Sequence, residues 1–109
     1  MPYESTLSNQ VLECDNVLEL GCSAGEATAR LLKRARRVVA VDKAEVMLAE
    51  ARQKAPDAEI LKIDCITEGD VVRDLAASAD VVFLDLGGRM AMSNAVTVLQ
   101  KLPSNVRLV

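Results

Sequence analysis

The chain has 109 residues, 50% hydrophobic and 2% aromatic, with 13 Lys+Arg against 16 Asp+Glu and neither His nor Trp. That is one domain with a modest core, and the lack of histidine excludes an imidazole base, a Ser-His-Asp or Cys-His nucleophile and the usual His-containing zinc sites. Tyr3 and Phe83 are the only rings for stacking on nucleic-acid bases, and a formal charge of -3 gives no net attraction to phosphate backbones or anionic membranes.

Residues 1–14 fit no strong period and read as an N-terminal arm or a short helix ahead of a domain over 15–109. The opening MPYESTLSNQ is polar, without the apolar core of a signal peptide, and no apolar stretch is long enough to span a bilayer. Cys14, Cys22 and Cys65 are odd in number and form no CxxC pair, so neither a disulfide framework nor a zinc knuckle is indicated. A cytoplasmic protein with reduced thiols and no membrane partner is expected.

From residue 17 onward, short apolar runs at 17–20, 38–41, 59–63, 80–84 and 106–109 alternate with segments of helical period. Ser23 with Glu26 has the spacing of a capping box ahead of Ala27, Leu31, Leu32 and Ala35. Residues 43–54 put Met47, Leu48 and Ala51 on one face, with Glu50 and Lys54 at i, i+4. Thr67 with Asp70 is a second possible capping box ahead of Val71, Val72 and Leu75, and Ala95, Val98, Leu99 and Leu102 form a fourth stripe ended by Pro103. Right-handed crossovers resolve this alternation into an α/β fold: a doubly wound, mainly parallel Rossmann-like sheet of about five strands with helices on both faces. The fifth strand falls at or near an edge, where either a second copy or other partner protects it or further chain follows.

In such a sheet, ligands bind beyond the carboxyl ends of the strands where the winding reverses. The first strand-to-helix turn reads Glu19-Leu20-Gly21-Cys22-Ser23-Ala24-Gly25-Glu26. Gly21 and Gly25 allow a tight turn, and Cys22, Ser23 and Ala24 are small enough to admit a nucleoside. A dinucleotide fingerprint would need glycine where Ser23 and Glu26 stand, and no Gly-Lys-Ser/Thr follows for a P-loop. Glu19 and Glu26 disfavour a pyrophosphate beside the turn and suit a cationic ligand.

An acid closes each of the next three strands as well. Asp42, followed by Lys43, ends the second run, where a carboxylate accepts from both hydroxyls of an unphosphorylated ribose. Asp64, followed by Cys65, ends the third, where a carboxylate can accept from an exocyclic adenine amine. Asp85 ends the fourth, within Phe83-Leu84-Asp85-Leu86-Gly87-Gly88. With these residues the chain resembles the class I S-adenosylmethionine-dependent methyltransferases. Glu19 to Gly25 looks like the family's E/D-x-G-x-x-x-G first motif, Asp42 like its ribose acid, Asp64 like its adenine-contacting acid and Asp85 like the acid of its fourth motif. Phe83 to Gly88 is similar to a little-characterised subgroup with F-x-D-x-G-G after strand four. Against the family pattern, Ser23 stands where glycine is common, and Leu86-Gly87-Gly88 does not reproduce the N/D-P-P-Y sequence of the amine-methylating branch.

The resemblance implies S-adenosyl-L-methionine bound by Glu19 near its ammonium, the backbone of Gly21, Cys22, Ser23, Ala24 and Gly25, Asp42 with Lys43, and Asp64 with Cys65. Asp85 is the nominee for a base or positioner in methyl transfer to an unidentified acceptor: small molecule, RNA or protein. The alternative is a non-catalytic nucleoside-binding or scaffold module of the same fold. Blander roles stand beside these: the glycines for packing, Asp64 and Asp85 as helix caps, Cys22 and Cys65 as small hydrophobes. The cluster Arg30, Lys33, Arg34, Arg36 and Arg37 is either a solvated complement to a helix C-terminus or a landing patch for a polyanion.

Overall fold

The computed structural model describes residues 15–84, 100 and 107–108. The N-terminal arm, the fourth helical stripe and Asp85 lie outside these described residues.

The aliphatic and β-branched runs form strands β1 (Asn16–Leu20), β2 (Arg37–Asp42), β3 (Glu59–Lys62) and β4 (Val81–Leu84), joined by the two-residue β5 (Arg107–Leu108). Between the first four lie helices α1 (Glu26–Leu32), α2 (Glu45–Lys54) and α3 (Gly69–Ala77). Every pairing is parallel and the strand order is β3-β2-β1-β4-β5. The chain winds outward from β1 to β3, then returns past β1 to lay down β4 on its other side. The reversal therefore falls between the carboxyl ends of β1 and β4, the place where such sheets leave a crevice for ligand.

The pleat sorts side chains onto two faces. Val17 and Phe83 pack with Val38, Val81 and Leu31 beneath α1, and Ala40, Leu48, Ala51 and Ile60 pack beneath α2. Leu18, Leu20, Val41, Val82 and Leu84 face the other way onto Val72 and Ala76 of α3. Both faces of the central strands are thus covered, which is why those runs carry almost no alternation of polarity.

Local punctuation differs from expectation at several points. The N-cap of α1 is Gly25 and that of α3 is Glu68, and neither helix has a side-chain cap bond, so Ser23–Glu26 and Thr67–Asp70 are not capping boxes. Ser23 lies before the cap in a left-handed conformation, too early in the turn to reach the first free amides. Val71 is exposed rather than packed. Lys54 reaches Glu26 of α1 at 3.5 Å, an exposed pair across two helices.

Candidate functional site

The turn from β1 into α1 is coiled by three left-handed residues, Gly21 (φ 83°), Ser23 (φ 52°) and Gly25 (φ 90°). The amides of Gly21 and Cys22 both donate to the Val41 carbonyl, at 2.9 and 3.0 Å, which fastens the turn to the end of β2. Glycine is required at 25 twice over. Its φ is in the left-handed region, and a Cβ there would stand 2.7 Å from Cα of Ala51 on α2. Ser23 carries the left-handed cost of about 1–2 kcal/mol, and its amide donates to Asp42 Oδ2 at 2.8 Å. The Ser23 hydroxyl lies 3.6 Å from the Met47 sulfur, so Met47 belongs to the wall of the turn as well as to the packing of α2.

Asp42 is 5% exposed and joins two turns. Its Oδ2 accepts from Ser23, and its Oδ1 accepts from the Ala44 amide at 3.0 Å just ahead of α2. A carboxylate has about four acceptor positions, so accepting two backbone amides leaves capacity toward a ligand. Lys43 beside it is exposed.

Glu19 is completely buried on the face of the sheet covered by α1. The Thr28 hydroxyl, also completely buried, donates to Glu19 Oε1. Sequence reading missed Thr28, although a signal existed: it falls in the stripe of α1 that carries Leu31, and a hydroxyl in a buried stripe needs a partner.

Asp64 behaves differently. Its Oδ1 accepts from the amides of Ile66 at 2.9 Å and Thr67 at 3.3 Å, and its own amide donates to Glu68 Oε1 at 3.1 Å. Those two backbone donors, with Lys43 adding a little, hold its carboxyl below the usual range. These bonds close the turn ahead of α3; the N-cap of that helix is Glu68, without a side-chain cap bond, so Asp64 is not its cap.

Cys22 and Cys65 lie on opposite faces of the sheet, Cys22 packed with the α2 side and Cys65 with the α3 side. Burial, then Glu19 and Asp42, push the Cys22 thiol up to about 12. Burial, then Asp64 and Asp42, push Cys65 up to about 11. Both are neutral packing groups at physiological pH, and both are free of disulfides. Ala24 is half-buried in the turn. Among the described residues no His, Cys, Asp or Glu cluster could hold a metal ion.

The basic cluster is exposed at the other end of the sheet, where α1 finishes and β2 begins, and Arg37 there pairs with Glu59 at 2.6 Å. The structure thus brings the glycine turn, Asp42 and, beneath them, Glu19 together, sets the Asp64 turn beside Asp42 through the Ile63 amide, which donates to the Asp42 carbonyl at 3.1 Å, and puts the Arg30–Arg37 cluster at the opposite end.

A parallel sheet of this order, with a left-handed turn after β1 and a buried acid at the end of β2, defines a Rossmann-like domain. Residues 17–107 match the family described as a methyltransferase domain, and the chain belongs to that family. Over 52 residues it is 40% identical to trans-aconitate 2-methyltransferase of Escherichia coli O157:H7, a match covering 46% of this chain and 21% of that enzyme. An amino pentose methyltransferase of Micromonospora echinaspora, solved with S-adenosylmethionine bound, superposes with a TM-score of 0.74 at 17% identity, over 94% of this chain and 44% of that one. A protein of unknown function from Deinococcus radiodurans R1 superposes with a TM-score of 0.72 at 24% identity, over 96% of this chain and 47% of that one. The chain spans about a fifth of the length of the curated relatives it matches. Its fold is that of the S-adenosylmethionine-dependent methyltransferases.

Proposed function

We propose that the chain is the cofactor-binding domain of an S-adenosylmethionine-dependent methyltransferase. The observation that carries this reading is the pairing of two buried carboxylates, Glu19 and Asp42, with a turn whose three left-handed residues keep it small and open to a ligand. The donor set fits the group. Residues 21–25 carry no cationic side chain, and two carboxylates favour an ammonium and a sulfonium. When bound, S-adenosylmethionine supplies an activated methyl group whose sulfur leaves as the thioether.

The chain's own part is to bind and orient. Asp42 accepts from the ribose hydroxyls with acceptor capacity beyond its two backbone bonds, and the backbone of Gly21, Cys22, Ser23, Ala24 and Gly25 lies along the ligand. Glu19 supplies the negative field for the ammonium from beneath the turn. Asp64, with Lys43 and Cys65 beside it, borders the adenine, and Asp85 orients the acceptor or takes its proton. Phe83 to Gly88 puts the protein in the subgroup with F-x-D-x-G-G after strand four; Phe83 and Leu84 of that motif lie in β4.

The acceptor is a small molecule, RNA or protein, and the protein acts in the cytoplasm. The cytoplasmic placement is supported by two buried free thiols, and none of the helices described is long and apolar enough to cross a membrane. A second copy pairing along β5, an edge of the described sheet, would make a dimer visible by light scattering.

Calorimetric titration with S-adenosylmethionine, S-adenosylhomocysteine and reduced nicotinamide dinucleotide tests the reading. Binding of the first two, with the dinucleotide weaker, is expected. A dinucleotide that binds more tightly than S-adenosylmethionine overturns the assignment, and binding without transfer of labelled methyl to any extract fraction points to the non-catalytic module.

A further inference from the structure

We infer that Thr28 is a positioning residue, whose hydroxyl holds the Glu19 carboxylate in the orientation that receives the cofactor's ammonium group. This rests on the S-adenosylmethionine reading of the site.

Three observations lead to it. Glu19 and Thr28 are both 0% exposed, so their bond forms away from competing water. A threonine inside a helix ordinarily returns its hydroxyl to a carbonyl one turn earlier, which here would be that of Ala24. A hydroxyl has a single proton to donate, and Thr28 donates it to Glu19 Oε1 instead. The bond also has a particular place in the chain. Glu19 stands two residues before Gly21 and Thr28 three residues after Gly25, so it ties strand to helix across the whole ligand-facing turn. The same contact fixes where the acid points and how far β1 and α1 stand apart on either side of the turn.

A merely structural threonine would affect every ligand of the turn alike, whereas a positioning one acts through the charge on Glu19. Two ligands separate these cases: S-adenosylhomocysteine, which carries the amino-acid ammonium, and 5′-methylthioadenosine, the same nucleoside thioether without it. Thr28→Val, nearly isosteric but without a donor, is expected to weaken S-adenosylhomocysteine by about tenfold while leaving methylthioadenosine within about twofold, as read by calorimetry. Thr28→Ser restores the donor and is expected to return S-adenosylhomocysteine to within about threefold of wild type. Equal losses on both ligands, no loss on S-adenosylhomocysteine, or no rescue by serine overturns the inference. Should Thr28→Val fail to fold, Thr28→Cys reads the same ratio through its weak S–H donor: a selective loss on S-adenosylhomocysteine supports the inference and an unchanged ratio overturns it. A wild-type protein that binds neither ligand overturns the methyltransferase reading itself, an outcome distinct from these.

Discussion

The turns after β1 and β3 occupy equivalent positions at the carboxyl edge of the sheet, yet they are built in opposite ways. After β3, a side chain from within the turn satisfies the backbone: Asp64 Oδ1 accepts the amides of Ile66 and Thr67. After β1, the turn is shaped by left-handed backbone; apart from the Gly25 amide, which donates to Cys22 within the turn, its acceptors come from β2: Asp42 for the Ser23 amide and the Val41 carbonyl for Gly21 and Cys22. A turn that caps itself is locally stable. One held from outside stays slim on its ligand side, at the cost of depending on tertiary partners. The difference fits the proposal that the β1 turn is the part of this edge that takes a ligand.

Gly25→Ala tests that dependence most severely. A Cβ against Ala51, added to a left-handed φ, is expected to cost about 2–4 kcal/mol, seen as a lower urea midpoint at constant slope. A loss under about 1 kcal/mol would mean that the turn relaxes freely and is not held by α2. Next, Asp42→Ala is expected to weaken S-adenosylmethionine by about 1–3 kcal/mol, because it removes the ribose acceptor and releases Ser23 and Ala44 together. Asp64→Ala sharpens the contrast: it is expected to cost about 1 kcal/mol of stability through its lost turn hydrogen bonds and less cofactor affinity than Asp42→Ala. If calorimetry ranks the two losses of affinity the other way, the contrast between the turns is broken.

Two smaller effects depend on pH. The Asp64 carboxyl is held below its ordinary value of 3.8 by backbone donors, so its stabilisation is complete above that pH and drains away as acid titrates the native group. Asp64→Asn should flatten the acid limb of a melting profile. Cys22 is shifted the opposite way, from 9.0 to about 12, so its contribution is intact below pH 9.0 and disappears as the pH rises toward 12. Cys22→Ala should lessen the alkaline loss. Both Cys22 and Cys65 should resist iodoacetamide at about pH 8 in the native state and react in urea, as followed by site-resolved mass spectrometry.

Much of the fold was legible because strand and helix periods are local properties. The apolar runs at 38–41 and 59–63 announced β2 and β3 to within two residues at each end, and the spacing of Gly21, Gly25 and Asp42 singled out residues that the structure brings together. The helix starts were not legible in the same way. Ser23 and Glu26 have the letters of a capping box, but a left-handed Ser23 takes the hydroxyl out of register with the helix amides, toward Met47. Asp64 reads in sequence as either a ligand contact or a helix cap; its hydrogen bonds close the turn ahead of α3 without capping that helix, whose N-cap is Glu68.

The sequence by itself determined the order of elements, the parallel sheet and which turn is built on paired glycines, because side-chain period and glycine placement act between near neighbours along the chain. Only the tertiary structure decided what each acid does. Glu19 meets Thr28 nine residues on, Ser23 meets Asp42 nineteen residues on, and Gly25 must be bare because Ala51 of another helix presses on it. Those partnerships arise when winding the sheet brings separate strands and helices to one edge, and there burial turns a carboxylate's choice of donor into a large energy.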